Sequence, residues 1–122
     1  MKFSQSIEDY LETVYLLEQE KGTAKVKEIA ERLGVSVPST TGMIRKLADN
    51  GLVEYKKYGP VKLTSTGKNK ARKIYEKHKL IGKFFISIGV DKKTAMYEAC
   101  LAEHILSTKT IERLKVFVER MD

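Results

Sequence analysis

Apolar residues recur at helical spacing over the first stretch of the chain: Ile7, Tyr10, Leu11, Val14 and Leu17. This predicts a helix from a cap at Ser6 to about Lys21, closed by Gly22. A second helix is expected from about Val26 to Leu33, with Ile29, Ala30 and Leu33 inward and Gly34 as its stop. Ser36 can cap a third, running through Asn50, with Pro38 tolerated in its first turn and Met43, Ile44 and Leu47 as its buried stripe. The period then shortens. Residues 52–56 and 61–64 read as two short strands, and Lys57-Tyr58-Gly59-Pro60 as the turn between them.

From Ser65 the helical period returns. A long helix is expected to about Ile88, with Ala71, Ile74, Tyr75, His78, Ile81 and Phe85 on one side, then helices over about 92–106 and 109–120. The fold expected is mainly α with a small β wing. Two units are expected, helices followed by a strand hairpin over 1–66 and helices alone over 67–122. Each half is small, so a dimer is expected to supply buried area.

Charge adds a second layer. The 122 residues carry a formal charge of +7, which suits a polyanionic partner. It is unevenly spread. Residues 8–20 hold five acids and no base, whereas residues 68–83 hold seven bases and the single acid Glu76. The lone cysteine cannot form an intramolecular disulfide, and no stretch approaches a membrane span or a secretory signal, so a soluble cytoplasmic protein is expected.

Residues 25–50 have the order of a helix-turn-helix, with small Ala30 at the helix crossing and Gly34 at the turn. Strands 52–64 follow as a wing. In this arrangement a short helix enters the major groove while a basic hairpin grips phosphate. Ser36, Pro38, Ser39 and Thr40 are the candidate base-edge contacts. Lys25, Lys27, Arg45, Lys46, Lys56 and Lys57 are the candidate phosphate contacts, although any single lysine could equally be a solvated surface charge.

Cys100, Glu103 and His104 stand at i, i+3 and i+4, which puts a thiolate, a carboxylate and an imidazole on one helical face. Asp9 and Glu12 are likewise three apart, and His78 lies among apolar neighbours. Such a mixture of donors suits a first-row divalent metal. Each also has a plainer reading. Cys100 could be a small buried hydrophobe, His78 a core histidine, and the two acids ordinary residues near a helix N-terminus.

Taken together, Ser6-Ile7-Glu8-Asp9-Tyr10-Leu11-Glu12, Ile29–Ser36 with Pro38-Ser39, Gly51–Tyr55 with Leu63-Thr64 and Gly67, and Glu98–Cys100 with Glu103–Ser107 resemble the diphtheria toxin repressor family of iron- and manganese-dependent regulators. The resemblance covers nearly the whole chain. It implies a homodimer that binds a palindromic double-stranded operator when loaded with metal, with ligands at Asp9, Glu12, His78, Cys100, Glu103 and His104. It also implies the short form, without the SH3-like domain of longer members. The site reads as a hybrid, since manganese-type members carry Asp at the position of Asp9 and iron-type members carry Cys at that of Cys100. The iron-type ancillary ligands would fall at Gly82 and Met96, which cannot serve. Gly42 replaces a long polar side chain common in relatives.

The thiolate favours Fe²⁺ over Mn²⁺, with Zn²⁺, Co²⁺ or Ni²⁺ able to bind in vitro. The alternative is a winged-helix regulator without metal input. No pairing of general base and nucleophile and no phosphate-cradling glycine loop supports a hydrolase, so neither an enzyme nor a small-molecule substrate is expected. No membrane partner is expected either.

Overall fold

The computed structural model describes residues 7–121, and its chain divides into two compact units between Lys73 and Ile74. The elements are α1 (Ile7–Lys21), α2 (Val26–Leu33), α3 (Val37–Asp49), β1 (Val53–Tyr55), β2 (Val61–Leu63), α4 (Ser65–Ser87), α5 (Lys92–Ala102) and α6 (Thr108–Met121). The expected architecture, mainly helical with one small antiparallel hairpin, is therefore present. Ser6, expected to cap α1, lies outside the described residues.

In the N-terminal unit α1 presents Tyr10, Leu11, Val14 and Leu17 to a core completed by Ile29, Ala30, Ile44, Leu47, Val53 and Val61. Gly34 ends α2 with φ +68, a left-handed conformation that costs glycine nothing, and the Val35 amide closes back on the Ala30 carbonyl at 3.1 Å. Ser36 caps α3 by accepting the Ser39 amide.

The strands pair Val53 with Leu63, Glu54 with Lys62 and Tyr55 with Val61. They are shorter than expected: the Leu52 amide turns back to the Leu47 carbonyl at the end of α3, and the Lys56 carbonyl accepts the Gly59 amide within the turn. The outer edge of β2 is anchored twice, by the Val61 amide, which donates to the Ala24 carbonyl at 2.7 Å, and by the Leu63 amide, which donates to the Glu18 carboxylate at 2.8 Å. One acid of the negatively charged first helix is thus structural. Thr64 leads into α4 by donating to the Gly51 carbonyl and accepting the Gly67 amide. Gly67 packs so closely that a Cβ there would lie 1.8 Å from the Leu52 carbonyl oxygen.

In the C-terminal unit Ile74, His78 and Ile81 of α4 are buried, as are Ala95 and Ala99 of α5 and Val118 of α6. Phe84 meets Phe117 edge-on, with centroids 5.7 Å apart. Asp91 caps α5 by accepting the Thr94 amide at 2.9 Å. Helix α5 stops four residues before the expected Leu106. The amides of His104 and Ile105 tighten onto carbonyls three residues back, and Ser107 then caps α6 by accepting the Thr110 amide.

Candidate metal centre and nucleic-acid interface

The early end of α5 leaves Cys100 in its last turn, Glu103 at the C-cap and His104 in the turn beyond, so the three do not share one continuous helix. Glu103 keeps helical dihedrals, φ −54 and ψ −33, and its amide still bonds to Ala99. The spacing toward Cys100 therefore survives in the backbone.

The side chain of Glu103 is only 3% exposed. Its Oε2 lies 3.6 Å from Nε2 of His78 on α4 and 3.4 Å from Nδ1 of His104. Oε2 is buried and accepts no hydrogen bond. A carboxylate oxygen in that state is costly unless a cation compensates it. Donors bound at about 2.1 Å around one transition-metal ion stand roughly 3–3.5 Å from each other, a range that holds the His104–Glu103 separation and that the His78–Glu103 separation nearly meets. Glu103 thus has an imidazole on either side, His104 from the turn after α5 and His78 from a different helix, a donor set that suits a divalent ion. Cys100 is half-buried nearby in sequence.

Asp9 and Glu12 belong to the first two turns of α1 in the N-terminal unit. Asp9 is half-buried, and its carbonyl accepts the Thr13 hydroxyl at 2.8 Å. Glu12 is buried.

Gly82 and Met96, which stand where the resemblance puts the iron-type ancillary ligands, face each other. A Cβ on Gly82 would lie 2.6 Å from Met96 Sδ. The missing side chain on α4 and the thioether on α5 fill the same space.

In the N-terminal unit a cleft of about 430 Å³ separates α3 from the wing. Lys25, Lys27, Arg45 and Lys57 contribute its cations, and no carboxylate is among the described residues that line it. Lys46 and Lys56 are exposed but lie outside it; Lys56 lines the opposite face of the hairpin with Glu54 and Lys62.

Of the expected base-edge contacts, Ser36, Pro38 and Ser39 are exposed at the start of α3. The Ser36 oxygen is already engaged by the Ser39 amide and hydroxyl. Thr40 requires correction. It is fully buried, and its hydroxyl donates to the Ser36 carbonyl at 2.9 Å. It therefore completes the inner stripe with Ile44 and Leu47, while Met43 is only half-buried. The spacing 40, 44, 47 carried that information. Val37 and Thr41, which sequence reasoning passed over, line the cleft instead.

Comparison with known proteins decides the relationship. The model of the iron dependent repressor N-terminal DNA binding domain matches residues 2–61, and that of the iron dependent repressor metal binding and dimerisation domain matches 64–122. The chain belongs to the iron-dependent repressor family. It is 44% identical over 119 residues to an uncharacterized HTH-type transcriptional regulator of Methanocaldococcus jannaschii, covering 96% of this chain and 95% of that one. It is 39% identical over 114 residues to the HTH-type transcriptional regulator MntR of Bacillus subtilis, covering 93% of this chain and 80% of MntR. Among solved structures, the manganese regulator SloR superposes with a TM-score of 0.83 at 32% identity. That match covers 96% of this chain but 55% of SloR, so the chain spans about half the length of that structure. Members of the iron-dependent repressor family are metal-dependent transcription regulators, not enzymes. Among the described residues no helix is long and apolar enough to cross a membrane.

Proposed function

We propose that this protein is a cytoplasmic homodimeric repressor that binds a palindromic operator when loaded with a divalent transition metal, and so controls genes of metal homeostasis. The observation that carries the proposal is the buried Glu103 carboxylate facing His78 and His104 at 3.6 and 3.4 Å. Those three residues hold the ion. Cys100 adds a thiolate, and Asp9 and Glu12 bring carboxylates from α1. Residues 1–66 read the duplex and residues 67–122 dimerise.

The chemistry of the donors supports a coupling. A bound cation compensates carboxylates that repel one another in its absence. Two of them, Asp9 and Glu12, stand on a helix packed against α2 and α3. Holding that helix restrains the reading head, and an ion with higher affinity for the DNA-competent state shifts the population toward it. At the DNA, Ser39 and Pro38 meet base edges, while Lys25, Lys27, Arg45 and Lys57 neutralise phosphate; Lys46 and Lys56 add peripheral charge.

We assign Fe²⁺ over Mn²⁺ on the softness of Cys100 alone. The names of the relatives do not support that preference, since SloR is described as a manganese regulator.

The test begins with selection of duplexes from a random library by the metal-loaded protein. Fluorescence anisotropy of the recovered duplex is then measured under anaerobic Fe²⁺, under Mn²⁺ and in EDTA. The account expects tight binding with metal and weak binding in EDTA. Equal binding in EDTA would leave a winged-helix regulator without metal input. Equal or better activation by Mn²⁺ at buffered concentrations would overturn the iron assignment alone.

A further inference from the structure

Within the described N-terminal unit only two large apolar side chains are strongly exposed, Val37 at 47% and Tyr58 at 91%. Both line the cleft between α3 and the wing. Such exposure in an otherwise well-buried unit marks a surface that meets something.

Tyr58 carries a second mark. Its φ is +67, and it is the one non-glycine described residue with positive φ. An aromatic residue in the left-handed region stores strain, although a glycine stands immediately after it in the sequence. The turn is fixed in that shape by the Gly59 amide, which donates to the Lys56 carbonyl at 2.8 Å. The ring is thereby held out at the hairpin tip, with Lys57 Nζ 5.2 Å from its centroid.

The cleft combines four cations, no carboxylate, and an apolar lining that includes Val26, Tyr55 and Pro60. A protein partner would bring mixed charge and a lipid surface would need a broad flat face. A sugar–phosphate strand offers the complement to this lining, with anionic oxygens for the cations and an apolar deoxyribose face for the floor. We infer that the cleft seats one strand of the DNA backbone and that Tyr58 closes it by packing its ring against deoxyribose. This rests on the DNA-binding reading above and adds to it a non-ionic contact at the wing tip.

The inference is specific about salt. A lysine that neutralises phosphate releases counterions, and its loss lowers the log–log salt slope by about 0.9 per contact. A ring packed on sugar releases none, so its loss weakens binding at every salt concentration alike.

The probe is a fluorescein-labelled mixed-sequence duplex, titrated by anisotropy with Mn²⁺-loaded protein over a series of salt concentrations. Tyr58→Asn keeps a residue that tolerates positive φ and removes the ring. It is expected to weaken binding roughly tenfold with an unchanged salt slope and an unchanged or higher melting temperature. Tyr58→Phe is expected to bind within about twofold of wild type. Lys57→Gln is expected to lower the slope. If Lys57→Gln weakens binding but Tyr58→Asn binds like wild type, the Tyr58 contact is overturned and the DNA-binding reading stands. If the wild-type protein does not bind duplex at all, both fall.

Discussion

The two units treat their apolar residues in opposite ways. The N-terminal unit buries Leu11, Leu17, Ile29, Ile44 and Leu47 almost completely, and its two large exposed apolar side chains both line the cleft. The C-terminal unit leaves Ile86, Ile88, Tyr97, Ile105, Val116, Phe117 and Met121 substantially exposed, while burying the polar side chains of His78 and Glu103. Hydrophobic burial closes the first unit by itself. The second holds apolar surface outside and a costly carboxylate inside, which suits the partner chain and the cation proposed above. The difference teaches that a unit which completes its own core and a unit which leaves apolar surface and a buried carboxylate uncompensated are suited to different work.

The contrast can be broken most sharply at the exposed apolar surface. Ile88→Glu combined with Val116→Glu is expected to weaken dimerisation by about 100-fold or more while leaving helical content intact. Sedimentation equilibrium with circular dichroism checks it. A dimer unchanged in strength would mean that this surface serves another purpose.

Next in size is a pair of glycines, one per unit. Gly67→Ala drives a Cβ into the Leu52 backbone carbonyl, 1.8 Å away, and is expected to cost about 3 kcal/mol by denaturant unfolding. Gly82→Ala meets only the end of Met96, 2.6 Å away, and a thioether can swing aside. Its cost is expected to be about 1 kcal/mol or less, offset by the gain in helix propensity.

Thr40→Val is expected to lose about 1 kcal/mol of stability, because the Ser36 carbonyl loses its hydroxyl donor. DNA affinity of the folded variant should stay near wild type. A large loss of affinity without loss of stability would return Thr40 to the interface.

The smallest effects are at two carboxylates near the surface, again one per unit. The Lys21 ammonium holds the Glu28 carboxyl below its ordinary value of 4.5, and the Thr94 amide holds Asp91 below 3.8. Both shifts are downward, so their stabilisation is present above the ordinary values and is lost as pH falls through the lower folded-state ones. Glu28→Gln and Asp91→Asn should each flatten the acid side of the stability profile below about pH 4.5 in thermal melts.

Much of this was legible in the sequence because periodicity is a direct record of burial. The bounds of α2, the turn at Gly34 and the start of α4 at Ser65 follow from it. The end of α5 was not legible. Ile105 and Leu106 continue an apolar pattern, but the competing cap at Ser107 pulls the backbone into a tighter turn. Thr40 reads as a contact because a hydroxyl near a helix start looks available, but its spacing from Ile44 and Leu47 places it inside. No residue pattern announces a tyrosine at positive φ on a hairpin tip, as at Tyr58. His78 and Glu103 were named from residue type and family pattern, but their convergence across two helices belongs to tertiary structure.

The central claim is that the ion facing Glu103 controls DNA binding, and the most direct test compares wild type with Glu103→Gln. Anisotropy of the selected duplex is recorded with Mn²⁺, with anaerobic Fe²⁺ and with EDTA, alongside direct titration of metal binding. Wild type is expected to bind DNA on the order of 100-fold more tightly with metal than in EDTA, and the variant to lose both metal affinity and that gain. A variant that loses metal affinity yet binds DNA as tightly as loaded wild type would contradict the account.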